Sequence, residues 1–273
     1  MKRLLALLAL AALVSTLAAC GGGGGGSSNT TSTGAASVPN PIVWCVDTTY
    51  PPAESIVNGK AAGYDIDIAN AIAKQLGSTA QIKTTGFTVI IPALKQKKCN
   101  AIISSMTITP ERSKQVKFSP YLDVGTFLMV KKGNPSGVTT VASLSGKSAA
   151  VESSTTQLAT LQAENKILQK QGKPQITIRS YPADTSAAAA IQAGKVDAYL
   201  ADATPVLYYI RTTGGKFQTA GQQVGIAPEG VATRIGDPLG AQINNAIQAL
   251  YLNGKMKSIL AKWQASQFAL KNK

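Results

Sequence analysis

The sequence contains no histidine, so the side chain that most often serves as general base or metal ligand near neutral pH is missing from whatever the protein does. Acidic residues are scarce too, with 13 Asp and Glu against 27 Lys and Arg and a formal charge of +14. That balance invites a nucleic-acid partner, but the lysines are scattered and no basic-aromatic module occurs, so none is expected. An anionic membrane or wall surface is the simpler partner for the charge. Three cysteines are too few for a disulfide scaffold. After the first 20 residues no further apolar run is long enough to suggest a membrane span, and 44% hydrophobic content points to a globular body.

What is present begins with MKRLLALLALAALVSTLAAC, residues 1–20. Two cations, a short apolar core and a small-residue flank make this a secretory signal rather than a spanning helix. Leu17-Ala18-Ala19-Cys20 resembles a bacterial lipobox, which implies an exported chain held at the membrane by lipid on Cys20; the alternative is an ordinary signal with an incidental cysteine. Removing Lys2 and Arg3 with the signal lowers the charge to +12. Residues 21–39, rich in Gly, Ser and Thr, read as a tether that cannot bury a core. Cys45 and Cys99 remain; an exported compartment permits a disulfide, but strands offset by several residues would strain the Cα separation, so the pairing stays open.

The remaining chain alternates strand and helix patterns. Strands are expected at 42–47, 80–83 and 101–104, with helices at 64–76, closed by Gly77, and 87–97. A βαβαβ order implies a parallel sheet. A strand at 126–130 leads into a polar turn at 131–135, after which the grammar repeats: strands at 148–151, 175–179 and 198–200, and helices at 157–170, 185–193 and 205–212. A return strand at 224–227 and closing helices at 238–252 and 255–267 complete the chain. Two βαβ halves explain the length better than one oversized sheet.

Residues 101–121, AIISSMTITPERSKQVKFSPY, organise the rest. A short buried strand ends in the hydroxyls of Ser104, Ser105, Thr107 and Thr109, and Arg112 follows a Thr-Pro-Glu turn. Ligands in open α/β sheets sit outside the carboxyl ends of strands, and a guanidinium beside O–H and N–H donors suits a carboxylate. The bland alternative is a solvated Arg and a polar turn. With YPPAE, GYDIDIANAIAKQLG and F-x-x-I-I-P-A-L in order before it, this run resembles the extracytoplasmic solute-binding proteins of ABC transporters, in the polar amino-acid class (bacterial family 3 type). The resemblance covers about residues 40–266; Ala53 departs from it, where many members carry an aromatic.

The resemblance implies an α/β, two-lobed type II periplasmic-binding-protein fold, each lobe a mainly parallel sheet flanked by helices, the two joined by crossover strands. Lobe 1 would comprise 40–130 and 225–270, and lobe 2 would comprise 131–224. It also implies the site. Arg112, Ser105 and Thr107, with Thr155 and Thr156 from the second lobe, would take the ligand carboxylate. Asp202 matches the family position that receives the α-ammonium; a helix N-cap is its other role. Tyr50 and Phe87 fall where aromatic walls stand, unless they are ordinary core. Asp47 and Glu152 would face the ligand side chain and favour a cation, unless they point to solvent. The expected function is binding a free amino acid, basic or polar, and delivering it to the membrane permease of an ABC importer. The protein would act as a lipid-anchored monomer, with no metal or cofactor and no catalysis. An enzyme on the same fold, such as a dehydratase, or a sensory amino-acid receptor is the alternative; without histidine only carboxylates or lysines would serve as acid and base.

Overall fold

The structure, a computed structural model, describes residues 37–271; the expected signal, Cys20 and most of the tether lie outside them. Among the described residues no helix is long and apolar enough to cross a membrane. The chain opens with β1 (Ile42–Val46), whose Ile42, Trp44 and Val46 enter one core while Cys45 enters another. Such alternation with both faces covered is what a strand between helical layers requires. Next come β2 (Thr49–Tyr50), β3 (Glu54–Val57) and β4 (Lys60–Ala62), a small separate antiparallel sheet. From sequence this segment shows only turns, because Pro51, Pro52 and two glycines mask strands of two to four residues.

Helix α1 (Tyr64–Gln75) buries Ile68, Ala69, Ile72 and Ala73 on one face. It starts at Gly63, whose φ of 148° leaves no room for a Cβ beside the Ala53 carbonyl. Strand β5 (Ala80–Thr84) follows. The helix expected at 87–97 is shorter: a 3-10 turn at Phe87–Val89 and α2 (Ile90–Lys95). Strand β6 (Ala101–Ile102) and the four-residue helix α3 (Pro110–Ser113) come next. Strands β5 and β6 flank β1 in parallel register.

Two strands are far longer than the sequence suggested: β7 (Lys117–Lys131) and β11 (Phe217–Thr233) run antiparallel along most of their length. Prolines 120 and 228 and several glycines read as breakers; three register shifts, at 220/224, 224/227 and 229/230, absorb them. Between these two strands lie β8 (Ser148–Glu152), α4 (Thr156–Lys170), β9 (Thr177–Tyr181), α5 (Asp184–Gln192), β10 (Ala198–Asp202) and α6 (Ala203–Thr212). After β11 come α7 (Leu239–Leu252) and α8 (Lys255–Lys262), the latter ending five residues before the expected position.

The ladder runs β5-β1-β6-β11-β7-β10-β8-β9. One large core combines β1 and α1 with α7, α8 and Phe268, whereas two others gather around β8 and β10. Along β7, Val124 belongs to the first and Leu128 to the second set, so two lobes share the long strand pair. Between them, a Cβ on Gly125 would stand 2.8 Å from the Val224 carbonyl, so the close approach of β7 and β11 there depends on glycine.

Cys45 and Cys99 form a disulfide, with Cα atoms 5.7 Å apart. The offset argued from sequence places Cys99 on a strand; it lies instead in the bend before β6, where Asn100 N–H donates to the Val43 carbonyl and swings the chain back beside Cys45. Both sulfurs are buried, and the link closes a loop of 54 residues. Replacing both cysteines by alanine is expected to lower unfolding stability by about 2–4 kcal/mol in a chemical-denaturation titration. An unchanged midpoint would mean that packing alone fixes this corner.

Candidate functional site

All eleven predicted ligand-contact residues line one narrow cavity, together with Glu54 and Gln157, which sequence reasoning missed. Those of the first lobe stand after β1 and β6, in β2 and β3, at the 3-10 turn that starts with Phe87 and on α3; those of the second stand where β8 and β10 end and at the start of α4. Short loops after parallel strands converge there because the strand ends from both lobes meet at the same edge.

Arg112 is the cation of the site. Thr109 caps its helix, accepting from the Arg112 amide at 3.2 Å. The guanidinium donates to the Thr107 carbonyl at 2.8 Å and, across the lobes, to the Ser154 carbonyl at 3.1 Å; it lies 5.3 Å from the centre of the Phe87 ring. It is therefore held by carbonyls and an aromatic face, with no ion pair to a carboxylate among the described residues. Opposite it, Thr155 caps α4, donating to the Glu152 carbonyl and accepting from the Leu158 amide. The first-turn amides of a helix carry partial positive charge, so this end too favours an anion.

Buried acids set the hydroxyls after β6. Ser104 donates to Glu54 at 2.8 Å and accepts from the Asp47 amide at 3.0 Å, so its proton is committed to the wall. Ser105 has a φ of 41°; its amide donates to Asp65, which also accepts from Tyr121. The Ser105 hydroxyl sits 2.9 Å from that of Tyr64, which donates in turn to Thr204 of the other lobe.

Asp202 takes the N-cap position of α6 but makes no side-chain cap bond. Its carboxylate turns into the cleft, where it accepts from Gln157 at 2.6 Å and from the Tyr50 hydroxyl at 2.8 Å. Tyr50 is thus a lobe-to-lobe contact as well as a wall. A carboxylate has about four lone-pair directions, so these two donors leave acceptor capacity toward the cavity. Burial pushes Asp202 up to about 6, while Tyr50, Arg112 and Gln157 pull it back.

Asp47 and Glu152 are both buried, at 3% and 4% exposure, so neither points to solvent. They differ in what holds them. Asp47 accepts from the Thr49 amide and hydroxyl and, at 2.7 Å, from the Phe87 amide; it ties two loops together. Glu152 has its Oε1 without a partner among the described residues. Burial, with Asp184, Asp47 and Asp202 nearby, pushes Glu152 up to about 10. Asp184, also unanticipated, is held behind it by Tyr199 and Tyr209 and is pushed up to about 7 by burial. Gln157 had a sequence signal, its place in the turn after Thr155-Thr156; Asp184, at the start of a helix, had none that separates it from a surface residue.

A cleft between two lobes, with a guanidinium and a helix start facing one carboxylate and a second carboxyl, Glu152, that keeps one oxygen without a partner among the described residues, suits a small solute bearing charges of both signs. Residues 42–266 match the bacterial extracellular solute-binding proteins, family 3, and the chain belongs to that family. ABC transporter arginine-binding protein 1 of Escherichia coli (strain K12) is 32% identical over 246 residues, 85% of this chain and 93% of that protein. The solved structure of an ancestral arginine-binding protein bound to arginine has a TM-score of 0.75 at 33% identity, covering 82% of this chain and 98% of its own. An ancestral amino acid-binding protein, a precursor of cyclohexadienyl dehydratase, has a TM-score of 0.74 at 30% identity, covering 82% and 95%.

The buried acids predict a pH dependence. Asp65 and Asp202 are raised to about 6 and Asp184 to about 7 by burial, whereas the same groups in an unfolded chain titrate near 4. Between these values the native state binds more protons than the unfolded one, so stability falls as pH rises. The melting temperature of the protein without added ligand is expected to be higher at pH 5 than at pH 8. A rise over that interval would contradict the burial of these carboxyls.

Proposed function

We propose that the cleft binds a free amino acid with a cationic side chain, and that the protein hands it to the membrane permease of an ABC importer on the extracytoplasmic side. The observation that carries the cationic preference is Glu152 Oε1, buried in the cavity wall without a partner among the described residues. In this reading Arg112, Thr107 and the start of α4 take the α-carboxylate and Asp202 takes the α-ammonium. Ser105 and Thr156 complete the first of these, and Tyr50 and Phe87 flank the ligand. The side-chain charge pairs with Glu152 rather than with Asp47, whose oxygens already serve Thr49 and Phe87. An acidic side chain would meet Glu152, Asp47 and Asp184 in a poorly solvated space.

The receptor acts as a monomer anchored through Cys20. Its lobes, 40–130 with 225–270 and 131–224, move about the shared strands near Gly125 and Val224. Binding favours the closed arrangement because the ligand touches both lobes. An enzymatic reading draws support from the dehydratase precursor among the structural neighbours. Against it stands the reading of the site given above, in which Arg112 and Asp202 would grip both ends of an amino acid and retain it. Mass spectrometry of protein incubated with amino acids separates the two: intact ligand supports a receptor, and a dehydrated or deaminated product supports an enzyme.

Thermal-shift measurements with the twenty amino acids are expected to give the largest stabilisation with arginine or lysine, and Glu152→Gln is expected to weaken these more than glutamine. A largest shift with glutamate would remove the cationic assignment. Because Glu152 must lose its proton to pair with a cation, whereas Asp202, raised only to about 6, serves the α-ammonium of every amino acid, arginine affinity is expected to rise from pH 7 to 8.5 while glutamine affinity changes little. Asp202→Ala leaves an ammonium unpaired and is expected to cost about 2–5 kcal/mol of binding by calorimetry; near-normal affinity in the folded variant would take Asp202 out of the site.

A further inference from the structure

We propose that the end of the first lobe at which the folded chain begins is a docking face for the anionic headgroups of a phospholipid membrane, formed chiefly by Lys83, Lys95, Lys97 and Lys98. This goes beyond amino-acid binding and does not depend on it. Its starting point is where the charges lie. Seven of the 13 acidic side chains are buried: Asp47, Glu54, Asp65, Glu152, Asp184, Asp202 and Glu229. The surface therefore carries only six acids against nearly all of the cations. From residue 68 to residue 110 the chain has five lysines and no acid at all.

The fold gathers four of those five. Lys95 ends α2, Lys97 and Lys98 follow in the turn that enters β6, and the Lys83 ammonium, projecting from edge strand β5, donates to the Lys98 carbonyl at 3.1 Å. All four are exposed. Arg234 reaches the same turn, donating to the Cys99 carbonyl at 2.8 Å, and its partner Asp237 is the one acid the described ion pairs place there. The Cys45–Cys99 disulfide fixes this turn to β1, so the lysines project from a rigid base.

The turn lies at the amino ends of the parallel strands β1 and β6, the end opposite the ligand cavity. The same end receives the beginning of the body: Pro39 accepts from Ser78, in the loop leading to β5, and the Ile42 amide donates to Thr79. Pro39 lies nineteen positions after Cys20, a covalent reach of at most about 65 Å. The partner chemistry follows from the residue type. Lysine is a compact, mobile point charge without the fork of arginine, and no aromatic side chain is interleaved in the turn from 95 to 100. Such a face suits a diffuse layer of phosphates rather than one shaped anion, with about fivefold in partitioning for each lysine near an anionic surface at low salt. The same features argue against a nucleic acid, which the family's extracellular setting also disfavours.

The test uses the full chain carrying Cys20→Ser, so that no lipid modification contributes. Partitioning onto vesicles of phosphatidylcholine containing 30% phosphatidylglycerol is compared with pure phosphatidylcholine by sedimentation at about 50 mM salt. Any insertion of the apolar residues 4–13 then contributes to both. The expected result is at least tenfold tighter partitioning on the anionic vesicles, lost at about 400 mM salt. The set Lys83→Gln, Lys95→Gln, Lys97→Gln, Lys98→Gln is expected to remove most of the difference. A control set on the second lobe, Lys166→Gln, Lys170→Gln, Lys173→Gln, Lys195→Gln, is expected to leave it. Equal loss from both sets, reflecting net charge alone, would overturn the proposal, as would indifference of the wild type to lipid charge. Melting temperature and arginine-induced stabilisation, measured on each set, separate a failure of this face from a failure of the fold or of the cleft.

Discussion

The antiparallel pairing of Lys117–Lys131 with Phe217–Thr233 is the constraint on which the rest of the molecule hangs. Hydrogen bonds of one ladder continue from one lobe to the other, so the two parallel sheets are extensions of a common pair rather than beads on a linker. Irregular register at 220/224 and 224/227 interrupts that ladder where the cores part. A continuous ladder would resist bending, and a fully broken one would let the lobes drift. A bulged pair in close contact at Gly125 keeps the lobes joined where the ladder is irregular, and helix α3 with Arg112 and the end of β10 with Asp202 line one cavity.

Electrostatics divides along the same plan. The cleft concentrates buried carboxyls around one half-buried guanidinium, while the outer surface is strongly cationic. Buried acids without cationic partners are unfavourable in isolation. Here most are engaged by hydroxyls and amides, as Asp65 is by Ser105 and Tyr121 and Asp47 by Thr49 and Phe87. Within the cavity, Glu54 and Glu152 each keep one oxygen without a partner among the described residues; the other oxygen of Glu54 is tied to Ser104 in the wall.

Much of this was legible in the chain. The helices at 64–76 and 157–170 carried the 3.6-residue period, and the strands of each half were short β-branched runs between turn signals. The hydroxyl-rich run ending in Arg112 stood where a strand had to stop. Three things were not legible, each for a physical reason. The long strands were cut short because Pro120 and Pro228 are local breakers whose effect a bulged partner absorbs. The disulfide stayed open because a bend at residues 98–100, rather than strand register, sets the Cys45–Cys99 separation. The division of labour between Asp47 and Glu152 depends on which amides lie within reach, and Phe87 is forty residues from Asp47; no period in the sequence records that contact.

The first core contains residues from both ends of the described chain, β1 and α1 packing against α7, α8 and Phe268. The core around β8 and β10, by contrast, draws on one uninterrupted stretch. A chain that appears from its amino end therefore presents the beginning of the first lobe long before the strand and helices that complete it. Until Phe217–Thr233 arrives, β6 lacks a partner on one side, and the apolar face of α1 lacks its cover. The half that emerges first is the half that finishes last, and its exposed strand edge is the place where assembly is most open to error.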